Sequence, residues 1–95
     1  ALRLAERAHA LAPEAPAIAD TLGWIHVLRG ELEPGVALLE TVRKKQPDEP
    51  SVLYHLGAAY LRAGKAADGK PLLAQALRLA PASPDAPAIK ALLAH

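Results

Sequence analysis

Apolar residues recur along this chain at the three- and four-residue steps of an amphipathic helix. Over 17–29 the stripe is Ile18, Leu22, Ile25 and Leu28, and over 51–63 it is Leu53, Leu56, Tyr60 and Ala63. Between and after them, 34–45 carries Leu38, Leu39 and Val42, and 68–79 carries Leu72, Leu73, Ala76 and Leu79. No stretch alternates with the period of a strand. Glycines fall just past the first and third of these segments, at Gly30 and Gly64, where a left-handed backbone ends a helix at least cost. Pro34 suits a helix start because its missing N–H is one the first turn leaves free. Pro71 lies further in, so its helix is predicted to begin near Asp68, which keeps the proline within the first turn. Ser51 and Ser83, near helix starts, read as N-caps.

The same positions return at a fixed interval. Pro13, Pro47 and Pro81 are 34 residues apart, as are Pro16, Pro50 and Pro84. Gly23 and Gly57, Gly30 and Gly64, Gly35 and Gly69, Leu22 and Leu56, and Leu39 and Leu73 keep that spacing. A period of this size marks a stacked array of helix hairpins. A glycine inside a helix costs about 1 kcal/mol against alanine. Its recurrence in register therefore points to close backbone packing across each hairpin. Residues 14–47 and 48–81 form two full units. Residues 1–13 match the second helix of a unit, since LAERAHALAP at 4–13 parallels LLAQALRLAP at 72–81, and 82–95 match a first helix. The array is thus half a repeat, two full repeats and half a repeat, with the terminal helices as caps. Opening at Ala1 without Met, the sequence reads as a piece of a longer protein, whose targeting segment would lie outside it.

Composition supports an array over a single large core. Apolar residues make up 52% of the 95, yet Phe is absent and only Trp24, Tyr54 and Tyr60 are aromatic. Eleven basic and ten acidic residues leave a formal charge of +1, which gives no electrostatic basis for nucleic acid or an anionic membrane. No apolar run approaches the roughly 20 residues of a membrane helix. Without Cys there is neither a disulfide framework nor a thiolate site.

A 34-residue helix–turn–helix unit with Leu-Gly in its first helix, a Tyr three residues on, a Gly at the turn and a closing Pro resembles the tetratricopeptide repeat. The second unit carries the resemblance best, through Leu53, Leu56, Gly57, Tyr60, Gly64, Gly69, Leu73, Ala76 and Pro81. The first matches at Leu22, Gly23, Gly30, Gly35, Leu39 and Pro47. It departs at His26, where the family prefers Tyr, and at Ala19, where a bulky residue is usual. Gly35 and Gly69 stand where Ala is common, which should loosen those helices. The resemblance implies an all-α, right-handed α-solenoid of stacked antiparallel hairpins. A narrower likeness, from Asp-Thr-Leu-Gly-Trp at 20–24 and Tyr-His-Leu-Gly at 54–57, is to bacterial exported or lipid-anchored tetratricopeptide proteins that accompany exopolysaccharide-associated protein sorting. It implies a periplasmic or envelope-associated parent.

In such arrays the concave face is lined by the first helix of each unit. The resemblance therefore puts Ala17, Asp20, Thr21, Trp24, Val27 and Leu28 on that face, then Ser51, Tyr54, His55, Ala58, Leu61 and Arg62, and finally Asp85, Ala88 and Ile89. The binding set expected from it is Asp20, Trp24, Val27, Tyr54, His55, Ala58, Leu61 and Arg62. Its mostly apolar surface and aromatic floor suit an extended peptide or an amphipathic helix. The alternative for Trp24 is that it fills space between first helices. Some family members clamp a peptide's terminal carboxylate here, and Asp20 would repel one. The expectation is a non-catalytic scaffold that holds a protein or peptide. The alternative is a structural spacer or a homodimer formed through Leu2, Leu4 and Leu11 at one end and Leu92 and Leu93 at the other. His9, His26, His55 and His95 lack the spacing of a helical metal pair, so neither metal nor cofactor is expected. His55 beside Asp20 across adjacent helices would be a base–carboxylate pair without a nucleophile to serve. Arg43, Lys44 and Lys45 complement a helix C-terminus rather than forming a nucleic-acid contact.

Overall fold

A computed structural model describes all residues from Ala1 to His95. Six helices account for the secondary structure: α1 (Leu2–Leu11), α2 (Pro16–Leu28), α3 (Leu32–Lys45), α4 (Pro50–Arg62), α5 (Ala66–Leu79) and α6 (Ala86–Leu93). Each packs on the next in sequence, and α2 also touches α4, so the first helices of the two units form a layer of their own. The chain is an all-α solenoid of stacked hairpins measuring 37 × 24 × 21 Å. α4 starts and ends 34 residues after α2, and α5 does the same after α3.

The turns follow from the glycines that end α2 and α4. Gly30 and Gly64 take φ of 83° and 78°, the region that a side chain disfavours. Their N–H groups bond the carbonyls of Val27 and Leu61, and the next residues, Glu31 and Lys65, reach back to His26 and Tyr60. The first turn is further tied by His26 Nδ1 to Glu31 at 2.9 Å and Arg29 Nε to Glu31 at 3.1 Å. The hydrogen bond from His26 and the nearby Arg29 charge hold the Glu31 carboxyl below its usual pKa, against the opposing effect of desolvation.

Within each hairpin the mid-helix glycines face one another. A Cβ on Gly23 would lie 2.9 Å from Leu39 Cγ and 3.2 Å from the Gly35 oxygen, and one on Gly35 would lie 2.8 Å from the Gly23 oxygen. In the second hairpin a Cβ on Gly69 would sit 2.6 Å from the Gly57 oxygen. Gly35 and Gly69 are therefore points of backbone crossing and not loosened alanine positions. Around these crossings Val27, Leu39, Leu53, Leu56, Ala59, Leu73 and Ala76 are fully buried, and Ile89 of α6 closes the core from the far end.

Three local expectations are corrected. α5 begins at Ala66, so Pro71 lies in its second turn and leaves the Ala67 carbonyl without an N–H donor; the ring is on the exposed side. Ser51 is inside α4 and donates to Glu49 at 3.4 Å, so it caps nothing. Ser83 accepts the Asp85 N–H at 3.1 Å within a turn that delays α6 to Ala86, two residues after Pro84.

Candidate functional site

Asp20 and Trp24 come from successive turns of α2, one above the other because four residues nearly complete a turn. Tyr54, His55 and Ala58 come from α4, which lies alongside. The two helices place Asp20 against His55, with Asp20 Oδ1 and His55 Nδ1 2.8 Å apart. An ionised carboxylate only accepts, so the ring donates through Nδ1. Both side chains are nearly enclosed, at 12% and 15% exposure. The acid that would repel an incoming carboxylate is thus already paired.

Above this pair the imidazole stacks on Trp24, with centroids 4.3 Å apart and planes 17° apart. Tyr54 leans against both rings, 5.5 Å from Trp24 and 5.2 Å from His55. Arg62 completes the cluster: its guanidinium lies 5.7 Å from the Trp24 centroid and donates to the Val27 carbonyl at 3.3 Å. Trp24 is half-buried, packed by His55, Tyr54 and Arg62 yet partly open, so it both fills the seam between first helices and lines the surface. Burial, reinforced by the Asp85 charge and opposed by that of Arg62, raises the Tyr54 phenol above its ordinary pKa.

The open side is a groove of about 400 Å³ between α2, α4 and α6, lined by Trp24, Leu28, Tyr54, Ala58, Arg62, Ala88, Ala91, Leu92 and His95. Of the expected set, the structure brings Asp20, Trp24, Tyr54, His55, Ala58 and Arg62 together, with Asp20 and His55 as its foundation and Trp24, Tyr54, Ala58 and Arg62 as its wall. Val27 is not part of this wall. It is fully buried against Gly35, the space that a Cβ there would enter. Leu61, the equivalent position in α4, likewise turns to its own hairpin and approaches Gly69. Ile89 is buried in the core. The physical reason is rotation. Three residues beyond Trp24 turns about 60° toward α3, whereas four residues beyond turns about 40° the other way, and that is Leu28. Leu92, four residues beyond Ala88, is found by the same step. Leu28, which the sequence placed on this face but not in the binding set, is 54% exposed.

Chemically the cluster can stack, hydrogen-bond and accept an apolar side chain. The hydroxyls flanking it on α2 and α4 are engaged locally, Thr21 with the Ala17 carbonyl and Ser51 with Glu49. No three His, Cys, Asp or Glu side chains converge anywhere in the fold. No helix is long and apolar enough to cross a membrane. Comparison with protein-family models, with curated proteins and with solved structures finds no match to this chain.

Proposed function

We propose that the chain is a non-catalytic scaffold of the tetratricopeptide kind that holds a segment of another protein along the face between α2, α4 and α6. The observation that carries this reading is the half-open Trp24, stacked on His55 and overlooked by Arg62 at the head of an apolar groove. Aromatic side chains with few rotors and a stacked arginine are the residue types that dominate binding surfaces. The buried Asp20–His55 pair fixes the floor, so little side-chain order has to be gained on binding. The 34-residue register and the paired glycines at each crossing support the family assignment.

The test is selection of peptides from a displayed random library on the intact chain, followed by their titration against Trp24→Ala and Leu28→Glu. Leu28 is exposed, so its variant keeps the fold while placing a charge in the groove. Selected peptides should lose at least about 1–2 kcal/mol of binding to either variant, with far-ultraviolet circular dichroism unchanged. Peptides that bind both variants as well as the parent would remove the groove from the account.

A further inference from the structure

The 34-residue interval sets the residues of the groove in rows. Trp24, Ala58 and Leu92 hold one place in α2, α4 and α6, and Leu28 and Arg62 hold the place one turn further on. Tyr54 and Ala88 share the place one turn before. The middle row therefore runs large, small, large. Ala58, only 3% exposed, floors a slot between the indole of Trp24 and the side chain of Leu92. Second helices pack on the Gly23 and Gly57 side of this layer, against Leu39 and Leu73, so further units lengthen the rows without roofing them.

Charge is placed unevenly along the slot. Arg62, one turn beyond Ala58, is exposed and pairs with no carboxylate of the chain. Its bond to the Val27 carbonyl engages Nη1 alone and leaves the other guanidinium donors free. At the opposite end the Asp85 charge bears on Tyr54, whose hydroxyl makes no hydrogen bond within the chain. No Asp or Glu is among the residues that line the groove.

We infer that the groove takes an extended peptide with a bulky apolar side chain and, two residues from it, an aspartate or glutamate. The apolar side chain enters the slot over Ala58, and the acid meets Arg62. This rests on the binding face proposed above and names what that face selects. The spacing follows from geometry. Ala58 and Arg62 are four residues apart on a helix, about 6 Å along its axis. Side chains on one face of an extended chain recur every second residue, about 6.6 Å apart. An extended backbone also brings free carbonyls to the Tyr54 hydroxyl, whereas a helix bonds its own internally. Asp85 fixes the polarity, because an acid at the Tyr54 end would face a like charge. Arg62 thus contributes selectivity and orientation more than raw affinity.

The experiment takes peptides selected from a displayed random library on the intact protein and resynthesises them acetylated and amidated, so that only side chains carry carboxylates. Titrated calorimetrically, they should share an acid two residues from a bulky apolar residue. Exchanging that acid for its amide, or Arg62→Gln in the protein, should each weaken binding by about fivefold, and the two together little more than either. Arg62→Glu should prefer the peptide in which lysine replaces the acid. That reversal separates a charge contact from packing, since Arg62→Gln also removes a neighbour of Trp24. Peptides that are lost to Trp24→Ala and Leu28→Glu but carry no acid at this spacing, or tolerate its amide, would overturn this inference and leave the proposed function standing. Peptides that bind those two variants as well as the parent would remove both.

Discussion

A methyl group at Gly69 would meet the Gly57 carbonyl oxygen at 2.6 Å, and backbone cannot rotate aside as a side chain can. Gly69→Ala gains about 1 kcal/mol of helix propensity and must still separate two helices. The net expectation is a loss of about 1–3 kcal/mol, read as a fall in the thermal midpoint followed by circular dichroism. Gly64→Ala has open space around it, so only its φ of 78° counts against it, at about 1–2 kcal/mol. Asp20→Ala strands the His55 Nδ1–H in an enclosed site at a cost of about 1–3 kcal/mol, and it should also loosen the ring on which Trp24 stacks. Residue by residue, the sequence was informative about type and vague about direction. Asp20 beside His55 was legible because the two lie a repeat and one residue apart on parallel first helices. Val27 and Leu61 were not, because a three-residue step and a four-residue step look alike in a hydrophobic stripe but turn opposite ways about the axis.

Between elements, Tyr60 ties α4 to Glu40 of the preceding unit's α3. Burial first, and then the hydrogen bond to Glu40, push the Tyr60 phenol up to about 12. The folded chain then holds a proton that the unfolded chain releases near 10. The stability from this contact is accordingly complete below about pH 10 and lost as pH rises through about 12. Alkaline difference spectra should find both tyrosines late, and Glu40→Gln should bring the titration of Tyr60 down while leaving that of Tyr54 in place. In α5, Pro71 leaves a gap in the hydrogen-bond ladder on the exposed side. Pro71→Ala should raise stability by about 1 kcal/mol or more in urea unfolding. The helices themselves were legible from periodicity, glycine turns and the 34-residue interval, with boundaries shifted by a residue or two. The start of α5 was misplaced because propensity argues against a proline in the second turn, while packing of Gly69, Leu72 and Leu73 against α4 carries the helix through it.

Across the whole molecule, stability is distributed as a stack distributes it, each helix depending on its neighbours. α4 packs on α2, α3 and α5, whereas α1 packs chiefly on α2 and buries nothing fully. Amide exchange should therefore be slowest in α4 and fastest in α1, and uniform protection across all six helices would contradict a stacked array. The same position at the centre of the stack gives Trp24 a further property. It is the sole tryptophan of the chain, stacked on the His55 imidazole with the Arg62 guanidinium close by at the seam of the two units. All indole emission from this protein therefore originates at one junction. A change in its colour or intensity reports on the His55 stack and the mouth of the groove together, so the molecule carries its own optical gauge, needing no dye, for whether that seam is occupied.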